Sequence, residues 1–249
     1  MRKHEGERHK DKGEESNTWK IILLLAVIAV IFFNQLQINK LSDVMENMPA
    51  NTMATAAGST SKITSVNSPG SKDLSNIDLS SIRGTGYSIA AVFPVENIKT
   101  AQDAMNMIIP TGMPDYGQAV GVSYDEPVKA LTTLIRVYQT IELSGAEQQR
   151  YLSLVTRPLG ISCEYCCGLG AIGADSQGRS LCGCQHNPAL LGLTKWLVKN
   201  TDYSDGEILR EAMRWKALFF PRQMVELTAS LAGGDTSSLA NLPGMVGGC

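Results

Sequence analysis

The sequence predicts a mainly α-helical ectodomain with a small β element and a Cys-rich knuckle, set behind an N-terminal single transmembrane helix and a flexible stalk. Three observations predict it. Residues 21–33 form an unbroken run of thirteen apolar residues, IILLLAVIAVIFF. Thr100-x-x-Asp103, Ser144-x-x-Glu147 and Ser204-x-x-Glu207 are helix-opening signatures, each followed by apolar residues at helical spacing. Five of the six cysteines, and the only histidine beyond residue 9, fall within the 24 residues of segment 163–186.

Composition bounds the answer first. A chain of 249 residues with 43% hydrophobic content can bury one ordinary core in part of its length. A formal charge of −2 supplies no basic surface, so no nucleic-acid partner is expected. Residues 1–20 are a charged, polar tail, and His4 and His9 within it are solvated.

The apolar run is short for a bilayer, which needs about 20 residues. A span over 21–38 borrows Trp19 at one interface and Leu36 and Ile38 at the other. A cleaved signal peptide is the rival, but the following NQLQINKLSDVM lacks the small-residue pair of a cleavage site. A signal anchor is therefore expected. Six basic residues precede the run and only Lys40 lies in the twenty after it, which keeps the N-terminus cytoplasmic and puts the rest outside the cell membrane.

Beyond the span, Ile38, Leu41, Met45 and Met48 alternate at three- and four-residue steps, a juxtamembrane stripe that offers a route to a homo-oligomer. The remainder of 39–86 reads as stalk and Ser/Thr/Asn/Gly linker. The folded domain is expected over 87–232. Its β element is Tyr87, Ile89, Ala91, Phe93 and Val95, with Val120, Val122 and Tyr124, alternating at period two. A helix over 100–109 separates the two strands. Asp125 as cap and Pro127 in the first turn open a helix whose face is Val128, Leu131, Leu134, Ile135, Tyr138 and Ile141. Helices over 144–156, 188–200, 204–217 and 222–231 follow, with Asn187 capping the second of these and Pro188 at its first position. Trp196, Trp215, Phe219 and Phe220 are core candidates. Residues 233–249 are a Gly-rich tail ending in Cys249.

The functional candidates sit in the knuckle. Cys163-x2-Cys166 is a spacing that points two thiolates at one ion, and Gly168 suits the turn. Fifteen residues separate Cys166 from Cys182, within the usual gap between zinc ligand pairs. Cys182, Cys184 and His186 are two apart and face one way if extended. Three cysteines from Cys163, Cys166, Cys182 or Cys184, with His186, would close a tetrahedral zinc site. Cys167 and the second member of the Cys-Gly-Cys pair are then surplus, which suits Cu(I) or an iron-sulfur centre. The helix beginning after His186 favours thiolate at Cys184. Segment 163–170, Cys-x-x-Cys-x-Gly-x-Gly, resembles one copy of the repeat in the zinc-binding region of DnaJ-type chaperones. That resemblance implies the shape of the turn alone.

Two alternatives stay open: disulfides stapling a surface module, and a redox or nucleophilic cysteine. Adjacent Cys166 and Cys167 are awkward for local bridges, and a histidine in register has no role in them. His186 is the sole histidine of the outer domain, Cys163 follows a helix and a Pro-Leu-Gly-Ile-Ser turn, and no Gly-rich phosphate fingerprint occurs. No catalytic residue and no organic cofactor are nominated.

Overall fold

The computed structural model describes residue 22 and residues 62–63, 72–233 and 244–247. The chain divides into two units, Met1–Thr60 and Ser61–Cys249, and all described residues but Ile22 belong to the second. Apart from Ile22, the expected membrane span and the juxtamembrane stripe lie outside the described residues. Among the described residues no helix is long and apolar enough to cross a membrane.

The second unit is mainly helical. Its helices are α1 (Thr85–Val92), α2 (Ala101–Ile108), α3 (Gly117–Val120), α4 (Pro127–Thr140), α5 (Gly145–Val155), α6 (Glu164–Cys167), α7 (His186–Asn200), α8 (Asp205–Phe219) and α9 (Pro221–Leu231). Three of them open as the sequence predicts. Thr100 Oγ1 accepts from Asp103 N at 3.1 Å while the Asp103 carboxylate accepts from Thr100 N at 2.9 Å. The same reciprocal box joins Ser144 to Glu147 and Ser204 to Glu207. Each box satisfies backbone N–H groups that a helix start leaves orphaned, and each cap is worth roughly 1 kcal/mol.

Helix α8 is the hub, touching α1, α2, α4, α7 and α9. It brings Leu209, Met213, Trp215 and Phe219 into the core with no exposed surface. Full burial of side chains of this size stabilises by about 1.5–3 kcal/mol each. The most extensive helix pair is α4 on α7. Gly192 permits it, because a Cβ there would collide with Leu134 O and lie 2.9 Å from Tyr138 N. A polar network closes the far side of α8. Buried Glu211 accepts from the Tyr116 hydroxyl at 2.8 Å and from the Tyr124 hydroxyl, and it pairs with Arg214 at 2.6 Å. Trp215 Nε1 donates to Tyr116 Oη at 2.7 Å.

The β element is corrected. Among the described residues there is no strand, only isolated bridges between Ile63 and Thr201 and between Ala174 and Ser180. Residues 87–92 are the body of α1. Its buried face is Thr85, Ser88, Ile89 and Val92, and Tyr87 is 64% exposed. Counting apolar residues alone hid the helix, since two of four inward positions are small hydroxyl residues; Ser88 Oγ donates to Leu159 O at 2.6 Å. Val122 and Tyr124 are buried as expected, but their N–H groups bond Gly117 O and Gly112 O in turns rather than a ladder.

Four smaller differences remain, two from local hydrogen bonds and two from burial. Asp125 accepts from Gly112 N at 2.8 Å, leaving Glu126 at the cap of α4. The buried face of α4 is Ala130, Leu131 and Leu134, and Val128 is exposed. Helix α7 starts at His186 with Gln185 as cap, because the Asn187 side chain is committed elsewhere. The packed chain also begins before Tyr87: Leu74, Leu79 and Ile82, in the segment expected as linker, are buried.

Candidate metal centre

Two loops meet between α5 and α7. The first leaves α5 through Gly160, whose φ of +75° reverses the chain against Thr85, where a Cβ would collide with the Thr85 hydroxyl. Gly160 N–H to Ala171 O and Ser162 Oγ to Gly170 O, both 2.9 Å, close this loop. Inside it, α6 is a single helical turn ended by Gly168 at φ +66°. Residues four apart share a face of a helical turn, so Cys163 and Cys167 lie together with sulfurs 3.7 Å apart.

The second loop folds back at the Ala174–Ser180 bridge. Asp175 Oδ1 accepts from the N–H groups of Gln177 and Arg179, and Tyr151 Oη donates to Gly178 O at 2.8 Å. Ser180 Oγ then donates to Cys182 O at 2.7 Å, turning Cys182 toward Cys184.

Asn187 staples the two loops. Its Oδ1 accepts from Cys163 N at 3.3 Å, and its Nδ2 donates to Gly173 O at 2.8 Å and Ser180 Oγ at 2.6 Å. Gly173 is required there, because a Cβ would collide with Ile161 O.

The result is one sulfur cluster. The Sγ atoms of Cys163, Cys167, Cys182 and Cys184 all lie within 4.8 Å of one another. Cys163 and Cys184 are buried free thiols 3.0 Å apart, whereas Cys167 and Cys182 are paired at disulfide distance. A second group shares Cys184: Cys166 Sγ, Cys184 Sγ and a ring nitrogen of His186, again within 4.8 Å.

Electrostatics distinguish these ligands. Burial, reinforced by the Cys184 thiol, pushes the Cys163 thiol up to about 12. Burial pulls His186 below the usual imidazole range against the opposing Val246 carbonyl. His186 Nε2 lies 2.8 Å from Val246 O. A carbonyl only accepts, so Nε2 carries the proton and Nδ1 keeps a lone pair that is buried without a hydrogen-bond partner. Lys216, fully buried, donates to Thr85 Oγ1 and Gly160 O at 2.9 Å and pairs with Glu164 at 3.2 Å. Burial lowers its ammonium to about 8, against the opposing charge of Glu164. A cation thus sits behind the loop that carries Cys163.

All six residues expected as ligands converge here, but in a different pairing. The sequence reading joined Cys163 to Cys166 and left Cys167 surplus. The helical turn instead joins Cys163 to Cys167 and sends Cys166 toward Cys184 and His186. Asn187 as staple and Lys216 as buried cation were missed. Lys216 had a signal, because Leu209, Met213, Lys216 and Phe220 form one helical stripe with a single charge in it.

This cluster could hold a metal. A zinc ion with Zn–S bonds of ~2.3 Å needs sulfurs about 3.8 Å apart, and the 3.7 Å between Cys163 and Cys167 meets that. A protonated Nε2 bonded to a backbone carbonyl is the usual second contact of a metal-binding histidine. No family model, no curated protein and no solved structure matches this chain.

Proposed function

We propose that this protein binds a metal ion, preferentially zinc, on the four thiolates of Cys163, Cys167, Cys182 and Cys184. His186 flanks this set beside Cys184, and Cys166, though near both, is itself disulfide-bonded. The observation that carries the reading is the convergence of four sulfurs from two stapled loops within 4.8 Å. A closed four-thiolate set leaves no open position for substrate, so the ion clamps the α5 and α7 ends rather than performing chemistry. Cu(I) is the next metal, since soft thiolates accept it in multinuclear sites. The apolar run 21–33 and its basic flank support a single-pass anchor with a cytoplasmic N-terminus, presenting the site outside the cell membrane. The stripe from Ile38 to Met48 supports pairing of two copies there.

The second reading is a disulfide-stapled surface module, favoured by the Cys167–Cys182 pair. Their Cα atoms are 7.0 Å apart, at the upper edge of what a bridge spans, so the same pair suits either a bridge or a shared ion. Elemental mass spectrometry on the full-length chain, purified without chelator and with thiols titrated in parallel, separates the two. Near-stoichiometric zinc or copper with thiols that react only after chelation is expected. No metal and no thiols at positions 163, 167, 182 and 184 overturns the metal reading.

A further inference from the structure

We infer that Cys167 and Cys182 are a site of thiol–disulfide exchange whose oxidation expels the metal, making the centre releasable rather than permanent. This rests on the metal reading of the same four sulfurs and adds how the ion leaves.

One arrangement of the sulfurs suits two mutually exclusive states of the cluster. Cys167 and Cys182 are at disulfide distance while still lying within 4.8 Å of both remaining thiols. The change from four thiolates around an ion to a disulfide beside two thiols therefore needs little movement of the loops. Access divides the sulfurs in the same way. Cys167 is exposed and Cys182 half-buried, with exposed Gly168, Leu181 and Gly183 beside them. Cys163 and Cys184 are buried, and they remain thiols although only 3.0 Å separates their sulfurs. An external disulfide reaches the first pair and is kept from the second.

The co-reactant class is a small disulfide such as oxidised glutathione. Its sulfur–sulfur bond breaks, one bond forms between Cys167 and Cys182, and two glutathione thiolates leave. The two cysteine sulfurs are oxidised and the two glutathione sulfurs reduced. The divalent ion departs with its charge unchanged. Cys163 and Cys184 keep their electron pairs and take up a proton each on losing the metal. Two ligands then remain of four, too few to close a structural site.

The test uses the full-length chain, reduced with a phosphine, loaded with zinc and freed of excess reagent. Zinc is counted before any oxidant is added. Oxidised glutathione is then titrated anaerobically while a chromogenic chelator reads released zinc and peptide mass mapping reads each bond. The expected result is one zinc released for each Cys167–Cys182 bond, with Cys163 and Cys184 still alkylatable after denaturation, and zinc rebinding on renewed reduction. Zinc retained after that bond has formed overturns the inference and the four-thiolate ligand set, while leaving metal binding itself standing. A Cys163–Cys184 bond forming first overturns it equally. A reduced chain that holds no zinc before oxidation defeats the metal reading, and the inference falls with it.

Discussion

Asn187→Leu tests whether the sulfur cluster is preorganised by the amide between its two loops. Leucine keeps the branched shape of asparagine but is larger, so no cavity opens and overpacking adds to the loss of hydrogen bonds. It deletes three hydrogen bonds, to Cys163 N, Gly173 O and Ser180 Oγ. Gly173 O still accepts from Leu181 N, and Ser180 Oγ keeps its contacts with Cys182. Only the Cys163 N–H is left buried without its acceptor. At about 1 kcal/mol net for each bond, the loss is about 3 kcal/mol. With a urea m-value of about 2 kcal/mol/M, the midpoint should fall by about 1.5 M. Zinc must then supply order that the amide supplied before. Its affinity should fall by up to two orders of magnitude, at about 1.4 kcal/mol per tenfold. Urea unfolding of the metal-free chain and chelator competition on the loaded chain read the two effects separately. An unchanged midpoint together with zinc affinity within about threefold of wild type would refute the idea that Asn187 holds the site.

Tyr116→Phe removes the acceptor of Trp215 Nε1 and one donor to Glu211; leaving that indole N–H unpaired in the core should cost about 1–3 kcal/mol in urea unfolding. Gly192→Ala forces α4 away from α7, where a Cβ meets Leu134 O, and should cost at least about 1–3 kcal/mol, visible as a lowered melting temperature with unchanged metal stoichiometry. Acid should weaken the fold through its capping boxes. Hydrogen bonds from the Thr100 hydroxyl and from the backbone of Lys99 and Thr100 hold Asp103 below the usual carboxylate range, and the Ser144 backbone and hydroxyl do the same for Glu147. A depressed folded-state pKa contributes stability above the unfolded value near 4, and that contribution is lost as pH falls through the folded value. The urea midpoint should drop less between pH 6 and pH 3 in the Asp103→Asn/Glu147→Gln double variant than in wild type.

The helices were legible wherever a cap and a stripe agreed, as at Thr100, Ser144 and Ser204, because both signals are local. α1 was not legible, since Thr85 and Ser88 face inward only to meet Gly160 and Leu159, seventy or more positions along the chain. Convergence of the cysteines could be read from clustering alone. Their pairing could not, because it depends on whether 163–167 turns as a loop or as a helix. A helical turn exchanges Cys166 for Cys167 as the neighbour of Cys163. The Asn-Pro pair marks the helix start to within two residues, but the nearby loops, not the cap, claim the amide. Lys216 finds its partners in Thr85, Gly160 and Glu164, far apart in the chain, so its helical stripe flags the charge but not what meets it.

The two ends of the sulfur cluster, Cys163 and Cys184, are 21 residues apart, whereas Lys216 reaches back 131 residues to Thr85. Closing the longer loop costs about 1.6 kcal/mol more chain entropy than closing the shorter one. The knuckle can therefore assemble before the helical core does, and an unfolded chain already offers the ion a partial home. Binding to both folded and unfolded chains cancels in the folding equilibrium. The metal should consequently raise the melting temperature by less than its affinity implies, while giving the chain an early local nucleus on which α5 and α7 meet.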